Sequence, residues 1–359
     1  MKAILLAPTP PPAGGIAGWT VRMMEAQLKN DWSIVVVDEK AIGKRQVFGK
    51  AAKRNFFDEV KRCHSIWQGL RRELKDSEAK VVHSCIPSVT LAMMREYICA
   101  VITKKRKRKF IIHFRCTVPN TTKGVVGHFV LKRLCNKSDL IISLNQQSTE
   151  YLKTITSTPI HLIPNFISHN ELVAERDVRQ ELKTVLYVGG LVEDKGISDC
   201  LELAKRFPDI EFRFVGKGNG EFEERAQDLN LSNAIFVGAK DRAGVKEELK
   251  NADIFLFMTY FRGEGFSNAL CEAMASGLPC IVTDWAANKD MIGDSGGIVV
   301  GIRDVDSAEI AMNSIKNKNI RQIMSCANIQ KVKSKYTDQV VISQYIDAYE
   351  SIINEDYTQ

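Results

Sequence analysis

A membrane-spanning helix needs ~20 consecutive apolar residues, and nothing in this 359-residue sequence approaches that. The opening run Met1 to Ala7 meets Pro8 and is too short for a secretory signal. Both absences lead to the expectation of a cytoplasmic protein. The nine cysteines are odd in number and include no C-x-x-C pair, so neither a disulfide framework nor a cysteine metal site follows, and reduced, mostly buried thiols are expected. A proper glycine fingerprint for a nicotinamide dinucleotide is missing from both halves, which argues against a dehydrogenase. Low-complexity tracts and short internal repeats are missing too.

What is present is ordinary in bulk and patterned in detail. Hydrophobic residues at 45% and charged residues at 26% suit a globular chain, and 359 residues exceed what one core usually serves, so two domains are expected. Short apolar runs alternate with amphipathic segments, the pattern of parallel sheets covered by helices in an α/β fold. The runs predict strands at 3–6, 33–37, 81–84, 110–114, 140–144 and 160–163, and again at 184–188, 211–215, 235–237, 254–258, 280–283 and 298–300. The polar stretch from Ser168 to Lys183, preceded by Pro164-Asn165, divides the two sets, giving domains over 1–166 and 167–336. Val341, Tyr345, Ala348, Tyr349 and Ile352 recur at helical spacing and predict a terminal helix over about 337–355 packed on a domain surface.

Ligands of open parallel sheets bind beyond the carboxyl ends of strands, so the loops there carry the candidate chemistry. The most informative runs from Arg262 through Gly263, Glu264, Gly265, Phe266, Ser267 and Asn268 to Glu272, then Gly277-Leu278-Pro279. Its glycines let backbone approach a ligand, Ser267 suits an N-cap for a helix over 268–276, and Gly277 with Pro279 stops that helix. Amides at such a helix start face an anion. Glu264 and Glu272 repel phosphate and read as acceptors for sugar and ribose hydroxyls, although a glutamate at a helix start also serves simply to complement the dipole. A second loop, Gly189-Gly190 to Gly196, puts Lys195 just before a helix starting near Ile197, where a cation would neutralise a departing diphosphate; an exposed surface lysine is the plainer reading. A third, Pro8 to Gly18, is stiffened by prolines and tipped by Gly14-Gly15. His113 ends the predicted strand 110–114, where a lone histidine is as readily a hydrogen-bonded core residue as a site residue.

The net charge of +7 is concentrated in the unbroken basic run Lys104 to Lys109. It reads as a solvated loop between helix and strand, or as a contact with anionic lipid headgroups worth ~1 kcal/mol per basic residue. No aromatic lies within it to stack on bases, so nucleic acid is not expected.

Gly14-Gly15, His113, Pro164-Asn165, Gly189 to Gly196, Gly216-Lys217-Gly218 and above all the Glu264 to Glu272 spacing occur in the order in which the sequence resembles family 4 glycosyltransferases of the GT-B fold, over nearly its whole length. The resemblance implies two Rossmann-like domains facing a central cleft, an amino-terminal acceptor domain and a carboxy-terminal donor domain, with the last helix crossing back to the first. It implies retaining transfer of a sugar from a nucleotide-sugar donor, by default a UDP-sugar, to a hydroxyl, without metal or other cofactor. By similarity Glu272 would hold the ribose, Glu264 the donor sugar, and Lys195 with the amides from Gly265 to Asn268 the diphosphate. His113 would touch the sugar from the opposite domain, Gly14 and Gly15 would close on phosphate and acceptor, and backbone near Gly216 would recognise the base. Such enzymes often act on lipid-linked saccharides in surface-polysaccharide assembly, such as O-antigen or capsule, which fits a peripheral position on the inner membrane face.

One position departs from the pattern. The family commonly has arginine where this chain has Gly190, and Arg262 is the candidate substitute cation. Asp304-Val305-Asp306 offers the motif of a metal-dependent transferase, but its place after the last strand fits a helix cap better. A nucleotide-sugar epimerase of the same fold and a non-catalytic membrane-docking partner are the remaining alternatives. Sugar, base, acceptor, linkage and oligomeric state are not written in the sequence.

Overall fold

The computed structural model describes residues 1–11, 14–26, 32–40, 56–76 and 78–354. Two compact units emerge: Met1–Phe166 with Arg262–Phe266 and Asp338–Gln359, and Ile167–Phe261 with Ser267–Thr337. The excursion of residues 262–266 into the first unit was not foreseen from sequence.

The first unit holds β1 (Lys2–Ala7), β2 (Ser33–Asp38), β3 (Val81–Ile86), β4 (Lys109–Phe114), β5 (Leu140–Ser143) and β6 (Ile160–Leu162) in one sheet of order β2-β1-β3-β4-β5-β6, all parallel. Between them run α1 (Gly15–Glu25), α2 (Phe56–Asp76), α3 (Thr90–Lys105), α4 (Val118–Thr121), α5 (Gly124–Lys137) and α6 (Gln146–Lys153). Every residue of β3 and β5 is buried, as expected for central strands covered on both faces, whereas the edge strand β2 is half-exposed. The period of two is visible along β1. Ile4 and Leu6 pack with α2 and α3 through Leu70, Met93 and Ile102, while Ala3, Leu5 and Ala7 face Trp19 of α1 and the terminal helix.

The second unit repeats the plan with β7 (Thr184–Val188), β8 (Glu211–Val215), β9 (Ala234–Gly238), β10 (Ile254–Phe257), β11 (Cys280–Thr283) and β12 (Gly297–Val300), in the order β12-β11-β10-β7-β8-β9, again parallel. Its helices are α7 (Ile197–Arg206), α8 (Glu221–Asp228), α9 (Arg242–Asn251), α10 (Asn268–Ala275), α11 (Asn288–Ile292), α12 (Val305–Ile315) and α13 (Lys318–Lys335). The last helix, α14 (Asp338–Asn354), returns to the first unit, where Val341, Tyr345, Ala348, Tyr349 and Ile352 are all buried. Each such side chain contributes roughly 1.5–3 kcal/mol relative to exposure.

Asp304 caps α12, accepting from Ser307 N at 2.9 Å and Ser307 Oγ at 2.6 Å, and Asp306 pairs with Arg206 at 2.7 Å, so this motif is structural. Seven cysteines are buried, Cys63 is half-buried and Cys326 exposed, all as free thiols. The basic run is less of a loop than its sequence suggests. Lys104 and Lys105 close α3, Lys109 opens β4, and Lys104 is spent on Asp139 at 2.6 Å. No described helix is long and apolar enough to cross a membrane.

Candidate active site

The crevice of an open parallel sheet lies where successive connections leave in opposite directions. In the second sheet that point is between β7 and β10, because β8 and β9 build to one side and β11 and β12 to the other. The loops leaving these two adjacent strands are the ones that carry Lys195 and Glu264.

After β7 the chain passes Gly189 and Gly190, makes a single 3-10 turn at Glu193–Lys195, and starts α7 through Gly196. Gly196 has φ +78°, and a Cβ there would lie 2.2 Å from the carbonyl oxygen of Met258, so only glycine fits. The turn is tied to the loop after β10 by Tyr260 N donating to Asp194 O at 2.8 Å. Lys195 Nζ stands 4.6 Å from the Phe261 ring centroid, a cation–π distance that orients the ammonium. Beside the turn, Arg303 lies 4.7 Å over the Tyr260 ring and donates to its hydroxyl at 2.9 Å. Neither Tyr260 nor Arg303 was singled out from sequence, where an aromatic and a basic residue in separate loops give no signal.

The strand ends themselves are glycines. Gly189 N donates to Val215 O and Gly216 N to Gly238 O, each at 2.9 Å, and a Cβ on Gly216 would meet Gly189 O at 1.7 Å. Gly216 is therefore demanded by the closeness of two strand ends, whether or not a base binds there. Gly190 is the opposite case: a Cβ would meet nothing within 4 Å, so the space there is open rather than filled.

After β10, Ser267 caps α10 by accepting from Leu270 N at 3.2 Å, as the sequence predicts. The helix ends at Ala275, and Gly277, at φ +70°, returns its N–H to Met274 O. Glu272 lies on the first turns of α10 and is half-buried, as are Glu264 and Asn268. Residues 262–266 are held within the first unit. Thr117 N and Oγ1 both donate to Glu264 O, at 2.9 and 2.7 Å, Asn145 Nδ2 donates to Gly265 O at 3.1 Å, and Asn165 Nδ2 to Phe266 O at 3.1 Å. Arg262 Nε donates to Asn120 O at 3.1 Å, and its side chain is exposed.

In the first unit, Gly14 is the extended N-cap residue of α1, exposed with Gly15, and a Cβ on Gly14 would meet nothing within 4 Å. Packing within the chain does not require glycine there, which leaves approach by a ligand as a reason for it. Residues 12 and 13 of that loop lie outside the described residues.

His113 requires a correction. Its side chain is fully buried, so it is not presented to a sugar. Arg115 Nη1 donates to His113 Nε2 at 3.1 Å, which puts the His113 proton on Nδ1, facing His83 Nε2 at 3.1 Å; His83 in turn gives its Nδ1 proton to the Tyr349 hydroxyl at 2.6 Å. Burial, with Arg115 adding to it, lowers the His83 pKa to about 3 and takes His113 well below the usual imidazole range. The residue past this strand end that meets the loop carrying Glu264 is the buried Thr117.

His83, Cys85 and His113 bring three potential ligand atoms within 4.8 Å of one another. The proton chain from Arg115 occupies the ligating nitrogens, burial keeps the Cys85 thiol protonated, and the guanidinium beside them repels a cation. These residues fit a hydrogen-bonded core better than a metal centre.

A cavity of about 380 Å³ opens at the carboxyl ends of β1, β2 and β3, lined by Pro8, Glu39, Phe56, Trp67, Leu91 and Arg95 among others. Its polar floor is a buried triad in which Arg95 donates to Glu39 at 2.7 Å and to Glu96 at 2.6 Å. Burial pushes the Glu39 carboxyl well up against the pull of Arg95, favouring its neutral acid, so the floor carries little net charge.

Residues 169–331 match the family described as Glycosyl transferases group 1. The match falls almost wholly within the second unit. The chain is 30% identical over 180 residues to a phosphatidyl-myo-inositol mannosyltransferase of Mycolicibacterium smegmatis, covering 48% of this chain and 46% of that one. It is 26% identical over 221 residues to a processive diacylglycerol alpha-glucosyltransferase of Acholeplasma laidlawii, covering 53% and 66%. The chain spans about half the length of the first of these curated relatives. Among solved structures, sucrose-phosphate synthase of Thermosynechococcus elongatus superposes with a TM-score of 0.80 at 15% identity over 99% of both chains. HepE of Anabaena in complex with UDP gives 0.74 at 14% identity, over 98% of this chain and all of that one. The fold of the whole chain is therefore GT-B.

Proposed function

We propose that the protein transfers a sugar, with retention of anomeric configuration, from a nucleotide diphosphate donor to an acceptor hydroxyl, with UDP as the default nucleotide. The observation that carries this reading is topological. Lys195 and the Glu264 to Glu272 segment leave adjacent strands at the switch point of a group 1 glycosyltransferase domain, a cation and two carboxylates where a diphosphate bearing two polyols needs them. Lys195 and the start of α10 take the diphosphate, Glu272 the ribose and Glu264 the donor sugar. The bond from the anomeric carbon to the phosphate oxygen breaks, a bond to the acceptor oxygen forms on the same face, and the acceptor proton passes to the departing phosphate. The protein supplies position and charge, so no side chain need attack and no metal is used.

The cavity beside β1 to β3, largely apolar with a near-neutral floor, suits part of an acceptor that is neither strongly acidic nor basic. A lipid-linked saccharide of a surface glycan fits, and the names of the mannosyl- and glucosyltransferase relatives point to lipid acceptors. An epimerase of the same fold is separated from a transferase by incubating with donor alone and identifying the product.

A thermal-shift screen against nucleoside diphosphates and their sugars checks the reading. The cognate compound at a hundred times its Kd adds about 2.7 kcal/mol of stability, EDTA leaves transfer unchanged, and silence across the panel would count against the proposal. For the membrane part, sedimentation with anionic vesicles at rising salt is the measure. Binding that weakens with salt and on neutralising Lys105 to Lys107 is expected, whereas indifference to both removes lipid contact from the proposal.

If Arg262 supplies the cation that Gly190 lacks, Arg262→Ala raises the donor KM about tenfold, and adding Gly190→Arg, for which the structure leaves room, brings it back. An unchanged KM in Arg262→Ala removes that role.

A further inference from the structure

Three side chains of the first unit converge on one short backbone segment. Thr117 follows β4, Asn145 follows β5 and Asn165 follows β6, so each stands just past the carboxyl end of a successive strand. Thr117 is fully buried, Asn145 is 2% exposed and Asn165 4%. They donate in order to the carbonyls of Glu264, Gly265 and Phe266, the Thr117 backbone amide adding a second bond to the first. Asn145 also donates to Thr117 Oγ1 at 2.9 Å and caps α6 by accepting from Ser148 N at 2.8 Å, so its amide group cannot rotate without breaking one of these. Gly265 completes the fit: a Cβ there would press on the Cys116 backbone and Leu144, both at 3.0 Å. Three buried polar side chains kept for the carbonyls of one loop cost more to bury than a hydrophobic contact would, and they fix orientation rather than add net stability.

We propose that Thr117, Asn145 and Asn165 are positioning residues for the Glu264 turn, setting the direction in which the Glu264 carboxylate and the entry to α10 are presented to the donor. This rests on the transfer reading above. A glycine-flanked turn has little conformational preference of its own, and displacement of a positioning group by about 1 Å can cost roughly 10²-fold in rate. The grip on its carbonyls replaces the rigidity that the turn lacks.

The variants that isolate this role keep the fold. Thr117→Val removes one hydroxyl at constant shape, and Asn145→Asp keeps the helix cap while turning an acceptor towards Gly265 O. With a nucleotide-sugar donor that the wild type uses, each lowers kcat by about tenfold or more, changes the affinity for the free nucleoside diphosphate less than twofold, and raises deuterium uptake of residues 262–268 selectively. Thr117→Ser restores kcat. A merely structural role lowers the melting temperature and leaves kcat of the folded fraction and local exchange unchanged, and that result overturns the proposal. If either variant does not fold, Asn165→Ala with the same exchange measurement decides. A wild type that transfers from no donor would sink the transfer reading, while the exchange experiment would still report on the grip.

Discussion

Lys195→Ala lowers turnover with the donor by about 10²–10³-fold and leaves the folded state intact. The magnitude follows from the moment at which the charge matters. A sugar diphosphate gains negative charge at the bridging oxygen as the glycosidic bond breaks, so a cation fixed there acts more on the transition state than on the bound donor. Lys195 is half-buried, seated over Phe261, and carried on a turn pinned by Gly196 and by the Tyr260 to Asp194 bond, so its position does not have to be found during the reaction. Arginine at this position keeps the charge but not the compact shape and restores only part of the rate. Glu264→Gln retains size and hydrogen-bonding capacity and loses charge, so a drop in kcat with little change in nucleotide affinity places it at the sugar rather than the base. Turnover in Lys195→Ala within a factor of three of the wild type would remove this lysine from the mechanism.

Acid should unfold the protein earlier than its carboxylates alone require. In the folded state His83 protonates only near pH 3 and His113 is also held well below its ordinary 6.5, because both lie in the core beside Arg115. Above pH 6.5 the imidazoles are neutral whether folded or not, and they add no pH dependence. Below it, the unfolded chain binds two protons that the folded chain refuses. Stability then falls by about 1.4 kcal/mol per pH unit for each histidine. From pH 7.5 to 5 the pair removes about 4 kcal/mol, a large part of a typical 5–15 kcal/mol. Urea midpoints measured at pH 7.5 and 5.0 test this: a marked fall is expected, roughly halved in His113→Gln. Equal midpoints in the wild type would show that both rings carry their charge inside the fold.

The fold was legible because its signal is repeated. All twelve strands read from apolar runs occur within two residues of their predicted ends, since buried parallel strands tolerate little besides Val, Ile, Leu and Phe, and their lengths leave few registers. Ser267 and Asp304 were readable as caps because an oxygen-bearing side chain before a helix has one dominant use. The sequence left His113 open between core and site because it gives a strand's residues but not which face turns inward at its end; two positions further Arg115 decides where the histidine proton sits, and four positions further Thr117 meets the loop. Thr117 and Asn145 were missed altogether. Their partners are backbone carbonyls more than a hundred residues away, and carbonyls are the same at every position.

The return of α14 has a consequence for how the chain can be divided. The face of the first sheet formed by Ala3, Leu5, Val81 and Ile111 is closed by Val341, Tyr345 and Tyr349, which come from the far helix α14. Without that helix, one face of the first sheet stays uncovered. A fragment cut at Phe166 presents that greasy surface permanently and precipitates, whereas the same fragment supplied with a peptide of residues 338–354 stays dispersed.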